Sequence, residues 1–223
     1  MKKTAFAIAL ATLAAGANAA VISYDVPLSL QTTEINQNLG LSQFDSSLGT
    51  LNSVSIELFG QAISSASILN SAAQAQNFGF TSTLFLTFSG SSIGDIISLE
   101  LFNTGTIPGS NALGQISIAA GQTYDLGTTD VSDSVILNVD AANFAAFIGS
   151  GALDLRCESL VSNTQVGGGG NITVTQETVA GCGAKVTYTY DDTPPTNNVP
   201  EPGSLALLGL GLIGLGALRR KKA

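Results

Sequence analysis

The stretch FGFTSTLFLTFSG, residues 78–90, alternates with a period of two. Phe78, Phe80, Leu84, Leu86 and Phe88 fall on one face, with mostly threonine, serine and glycine between them. A helix would repeat near 3.6 residues, whereas this pattern buries one face of a strand and wets the other. Ser89-Gly90 closes the run with a turn signal.

The same rhythm extends in both directions. Upstream, Tyr24, Val26, Leu28 and Leu30 share a face, as do Val54, Ile56 and Leu58. Downstream come Ile97, Leu99 and Leu101, then Ile116 and Ile118, then Val135, Leu137 and Val139. Leu153 and Leu155, Ile172 and Val174, and finally Val186, Tyr188 and Tyr190 continue the series. Turn chemistry separates the runs at Asn103-Thr104-Gly105, Pro108-Gly109-Ser110, Ala120-Gly121 and Gly167 to Gly170. The expectation is an all-β fold of about nine or ten short strands, an antiparallel two-sheet sandwich or jelly roll. One segment departs from it. In Asp140-Ala-Ala-Asn-Phe-Ala-Ala-Phe-Ile-Gly, Phe144, Phe147 and Ile148 recur at offsets of three and four. That spacing predicts a short helix capped by Asp140 and stopped at Gly149. The four glycines 167–170 read as a flexible hairpin tip, since no lysine follows them in phosphate-loop fashion.

Charge is scarce and unevenly placed. Only 11% of the 223 residues are charged, and six of the eight basic residues sit at the chain tips. Between Ala20 and Asn198, Arg156 and Lys185 face fifteen carboxylates. A surface of that sign repels phosphate backbones and argues against a nucleic-acid partner. At the N-terminus, Met1-Lys2-Lys3, an apolar run from Ala5 to Ala15 and the small-x-small site Ala17-Asn18-Ala19 form the three parts of a secretory signal peptide. Residues 1–19 are therefore expected to be removed by the secretion machinery, leaving Ala20 or Val21 first; an N-terminal anchor is the alternative, but the run is short for a span. Export places Cys157 and Cys182 in an oxidising compartment, where the expectation is one disulfide and the alternative is two free thiols.

Little in the body points to catalysis. The chain has no histidine, which removes the commonest general base and metal ligand. Two cations leave little to hold an oxyanion or a transferring phosphate. A glycosidase needs only two carboxylates, but nothing places a pair across a cleft. The densest acidic cluster is YDLGTTDVSDS, residues 124–134, which makes Asp125, Asp130 and Asp133 candidates for calcium, a hard cation that takes oxygen ligands. Their spacing does not match the twelve-residue calcium loop, and aspartate is a routine turn former. No other metal or cofactor is expected. The chain has no tryptophan, and Tyr188 and Tyr190 read as packing residues. The pairs Thr173/Thr175 and Thr187/Thr189 could order water on a flat face, and threonine is also common in strands. Asn171-Ile172-Thr173 is an acceptor sequon that matters only in a glycosylating host.

Beyond the body, residues 20–190, the polar, proline-bearing stretch 191–198 reads as a linker. Val199-Pro200-Glu201-Pro202 follows, then fourteen uncharged residues from Leu205 to Leu218, then Arg219-Arg220-Lys221-Lys222. As a helix those fourteen residues span about 21 Å, a marginal crossing that flanking residues and snorkelling basic side chains extend. The basic cluster would remain cytoplasmic. Gly209, Gly211 and Gly214 spell G-x-G-x-x-G, yet no strand precedes them and no acidic residue follows at about twenty positions, so they do not form a dinucleotide loop.

Residues 199–223 resemble the PEP-CTERM sorting signal of Gram-negative bacteria, with all three parts in order. The resemblance implies that exosortase recognises Val199, Pro200, Glu201 and Pro202, and that Arg219, Arg220, Lys221 and Lys222 act as a stop-transfer anchor. It implies transient residence in the inner membrane, then the cell surface or extracellular matrix, and a link to biofilm and extracellular polysaccharide. The body is similar to type E choice-of-anchor surface domains through Gln43-Phe-Asp-Ser-Ser-Leu-Gly-Thr-Leu-Asn-Ser-Val and Phe144-Ala-Ala-Phe-Ile-Gly-Ser-Gly. Those domains have no established activity. The expected function is an exported, non-enzymatic surface or matrix protein. The alternative is an adhesin-like module that binds polysaccharide or another surface ligand.

Overall fold

The computed structural model describes residues 19–91, 93–94, 96–105 and 107–192. The chain divides into two units, Met1–Asp192 and Thr193–Ala223, and the described residues all belong to the first. Ten strands account for most of them: β1 (Ala19–Val26), β2 (Gln31–Thr32), β3 (Asn36–Asn38), β4 (Gly49–Asn70), β5 (Gln76–Ser89), β6 (Ile97–Asn103), β7 (Ile116–Ile118), β8 (Thr123–Asn138), β9 (Arg156–Gly167) and β10 (Ile172–Asp192). One sheet has the order β1-β10-β4-β8 with β2 on β10; the other has β3-β9-β5-β6 with β7 on β5. Every strand pairing is antiparallel.

Leaving aside the short β2 and β7, the eight remaining strands run 1-8-3-6 in one sheet and 2-7-4-5 in the other. That order is a jelly roll, in which successive strands cross between sheets. Crossing is possible because each strand carries one apolar face, so both sheets can turn that face inward. Phe78, Phe80, Leu84, Leu86 and Phe88 are all buried on β5, and Val54, Ile56 and Leu58 on β4. Opposite them, Ala184, Val186 and Tyr188 of β10 are fully buried.

Several local expectations need correction. β1 stops at Val26 because Pro27 follows, so its inward set is Ala20, Ile22, Tyr24 and Val26, and Leu30 is exposed. Leu153 and Leu155 are buried but precede β9. Their extended backbone pairs with a loop, the Leu153 N–H donating to Leu41 and Leu39 N–H to Leu155. The glycine run is not a hairpin tip, because β9 and β10 belong to different sheets. It carries the chain from one sheet to the other, with Gly167, Gly168 and Gly169 all at positive φ (87°, 77° and 55°), where side chains are disfavoured. The predicted helix is a 3₁₀ helix over Ala141–Phe147, and Asp140 caps it only through its carbonyl, which accepts from Asn143 N–H. Side-chain capping is provided elsewhere: Asp45 Oδ1 accepts from the Ser47 N–H at 2.8 Å, which holds that carboxyl below its ordinary pKa.

The core has two parts. The larger is built around Val54, Ile56, Leu58, Leu84, Leu86, Phe88, Val186 and Tyr188, the smaller around Ile68, Phe78, Phe80, Ile116 and Ile118. Between them lies a polar waist. Ser64 and Thr178, paired across β4 and β10, share a hydrogen bond of 2.8 Å. The Gln176 amide donates to Ser64 Oγ at 3.2 Å and to Ser82 Oγ of the other sheet at 2.9 Å, and accepts from Asn163 at 2.9 Å. Every member finds a partner, which is the condition for burying polar groups without a large penalty. Asn70, fully buried, ties off the far end by donating to the carbonyls of Gln74, Ile118 and Ala119 and accepting from Ala72 N–H.

Candidate functional site

Two distant stretches of sequence form a cap on one end of the sandwich. Phe44 N–H donates to Phe147, and Gly149 N–H donates back to Phe44. The Gln43 side chain donates to the Ala146 carbonyl at 2.9 Å and accepts from Gly151 N–H at 3.2 Å. Phe44 in turn packs on Tyr188 and Tyr190, with ring centroids 5.6 and 5.1 Å away. These are the stretches that carry the choice-of-anchor resemblance, and the fold brings them into one unit.

Beside the cap, β8 and β6 are the edge strands of the two sheets on the same side of the sandwich. Here a groove of about 520 Å³ opens between them and the 3₁₀ helix. Its floor is aliphatic, from Ile56, Ile93, Ile97, Leu137 and Val139. Its rim carries Ser91, Asp140 and Asn143, all solvent-exposed. Among the described residues no lysine or arginine lines it. The alternation of Ile97, Leu137 and Val139 was visible in the sequence as strand pattern. That the two sheet edges part at these residues was not, because the parting depends on how the sheets stack.

The sequence-predicted residues are scattered. Cys157 and Cys182 form a disulfide that links β9 of one sheet to β10 of the other. The aspartates lie along edge strand β8 opposite Ser67 (Asp125), Ile63 (Asp130) and Gly60 (Asp133). Asp125 and Asp130 share the outer face; Asp133, opposite an inward position, points the other way. Asp125 accepts from Gly127 N–H, Asp130 from the Gln61 amide and Asp133 from Ser134 N–H, each at 2.8 Å. The three carboxylates thus form no common donor set for calcium, and among the described residues no group of three potential ligands comes together. The body's cations lie on the outer faces of opposite sheets: Lys185 opposite Glu57 and Asp25, and Arg156 at 3.6 Å from Glu158. Ala19 and Ala20 open β1 opposite Asp191 and Tyr190, so the start and end of the body are neighbours. Ala17, the motif Val199-Pro200-Glu201-Pro202, the expected membrane helix and Arg219 to Lys222 lie outside the described residues. Among the described residues no helix is long and apolar enough to cross a membrane.

The fold and the tail together define an antiparallel β-sandwich followed by a sorting-type segment. The family model for the PEP-CTERM protein-sorting motif matches residues 198–221. The chain carries that motif, which indicates exosortase-dependent sorting of an exported protein, with a membrane-associated step. No curated protein matches the chain. Among solved structures it is similar to a chain of the T13 viral particle of infectious bursal disease virus, at 11% identity over 96% of this chain and 52% of that one, with a TM-score of 0.24. The VP2 subviral particle of the same virus gives 11% identity, 89% and 50% coverage, and a TM-score of 0.24. The chain spans about half the length of those chains, and at such TM-scores the likeness carries no argument.

Proposed function

We propose that this is a non-enzymatic surface or matrix protein, delivered through its tail and displaying the jelly-roll body outside a Gram-negative cell. The observation that carries the reading is the sorting motif at residues 198–221. In this scheme the signal peptide, cleaved near Ala19-Ala20, directs export. Exosortase then recognises Val199-Pro200-Glu201-Pro202 while Arg219 to Lys222 hold the tail in the inner membrane. The adjacency of Ala20 and Tyr190 supports the scheme, since it sets the two ends of the body beside each other. The meeting of Gln43–Phe44 with Phe147–Gly151 supports the choice-of-anchor class for the body. Display fits the body better than catalysis, because its two cations are on outer faces, the Asp45 carboxylate serves a turn and the Tyr188 hydroxyl serves the core. The association with biofilm polysaccharide belongs to the same proposal. A second reading, an adhesin-like binding module, is supported by the edge groove.

Intact mass of the protein recovered from its host tests the sorting scheme. Loss of residues beyond the Pro-Glu-Pro region, abolished when Pro200, Glu201 and Pro202 are replaced by alanine, is the expected result. Retention of Lys222 and Ala223 in the mature protein overturns it.

A further inference from the structure

We propose that the groove between β6, β8 and the 3₁₀ helix binds a neutral glycan. The inference rests on the binding-module reading and names its ligand class. An aliphatic floor of Ile97, Leu137 and Val139 calls for a ligand with an apolar face. The rim calls for hydroxyls: the Asp140 carboxylate only accepts hydrogen bonds, while the Asn143 amide and Ser91 hydroxyl both donate and accept. Asp140 makes no side-chain cap and is exposed, so its carboxylate is available to a ligand. Charge narrows the class further. With a carboxylate on the rim and no cation in the lining, an anionic ligand would be repelled. A cationic one would meet, among the described residues of the lining, one solvated carboxylate and no aromatic face, which gives little affinity. A pyranose ring satisfies both walls, its C–H face on the aliphatic floor and its hydroxyls on the rim.

Isothermal titration of the mature exported protein with five tetrasaccharides tests this. Three probes are neutral (the tetramers of cellulose, starch and chitin), one is anionic (tetragalacturonate) and one cationic (the chitosan tetramer). The expected result is saturable binding of at least one neutral probe, weakened by at least about tenfold in Asn143→Leu and in Ala146→Trp. Both positions are exposed, so circular dichroism should report an unchanged fold. Binding that survives both substitutions overturns the assignment. Binding of a charged probe alone overturns the neutral class but leaves the module reading in place. No binding of any probe at about 10 mM, together with failure of the protein to co-sediment with host matrix polymer, overturns both.

Discussion

Cys157 and Cys182 join the two sheets at a point where their Cα atoms are 6.4 Å apart. Facing sheets usually pack about 10 Å apart, so the sandwich must narrow here. The residues around the bond allow it. Cys182 lies opposite Gly60, and Ala180 opposite Ala62, on inward positions. Leu86 from the other sheet fills the space that a side chain at Gly60 would need. Replacing both cysteines by serine should cost about 3.5 kcal/mol, the loop-entropy value for a separation of 25 residues. For a domain of this length that corresponds to a fall in Tm of roughly 7–14 °C by calorimetry.

Gln37 completes an edge that the strands leave open. On one side of β10, β1 pairs with residues Ala184 to Asp191 and β2 with Val179 and Ala180, so the stretch between lacks a strand neighbour. The Cys182 N–H instead donates to Gln37 Oε1 at 3.1 Å, and the Gln37 amide donates to the Ser29 carbonyl at 2.8 Å. Gln37→Leu should leave that N–H without a partner and cost about 1–3 kcal/mol in denaturant unfolding. Gln37→Glu keeps the acceptor for Cys182 and should recover part of the loss.

Strands, the sandwich and the disulfide were legible in the sequence because period two and exported cysteines are local signals. The inward set of β5 was readable residue by residue. The gap at Ser82, between Phe80 and Leu84, marks the polar waist, but only Gln176, Ser64 and Thr178 explain it, and they lie far away in sequence. Asn70 gave no sign, since a buried asparagine and a turn asparagine look alike until the carbonyls around it are placed. The jelly-roll order rests on which strands cross between sheets, which the turn residues do not encode. The edge groove was hidden for the same reason, while the sorting motif at residues 198–221 was legible because it is contiguous.

Tyr188 is fully buried, donates to the Ser42 carbonyl at 2.9 Å and packs edge-on against Tyr24. Burial disfavours the phenolate and pushes its pKa well above the ordinary value of 10.0, with Tyr24 adding to the shift. The sign follows: the buried neutral phenol contributes stability below pH 10, and that contribution is lost as pH rises towards the raised value. Ultraviolet titration should show Tyr188 ionising only as the protein unfolds. Tyr188→Phe removes the hydroxyl donor, should cost about 1 kcal/mol at neutral pH, and should flatten the alkaline loss of stability. A variant whose stability falls with pH as steeply as the unsubstituted protein's would contradict this account.

The aspartates of β8 protect a strand edge. β8 is sixteen residues long and, among the described residues, pairs only with β4, so its other edge presents backbone groups with no strand partner there. Charges on an edge strand oppose such pairing, and an inward-pointing one does so most strongly because joining would bury it. Asp133 has that position, between Val131 and Val135 on the inward side, while Asp130 guards the outer face. Converting Asp130 and Asp133 to valine removes both charges from the segment and leaves Ser132 and Ser134 as its only polar residues between Val131 and Leu137. The double variant should raise the mean mass by light scattering in a concentration-dependent way, whereas Asp45→Asn, away from this edge, should leave it unchanged. Calcium should give neither heat nor a thermal shift in the unsubstituted protein, since carboxylates spread over roughly 25 Å of strand at about 3.3 Å per residue cannot close on one ion. If calcium instead stabilises the fold, and the double variant abolishes that effect without changing association, the carboxylates serve the ion and not the edge.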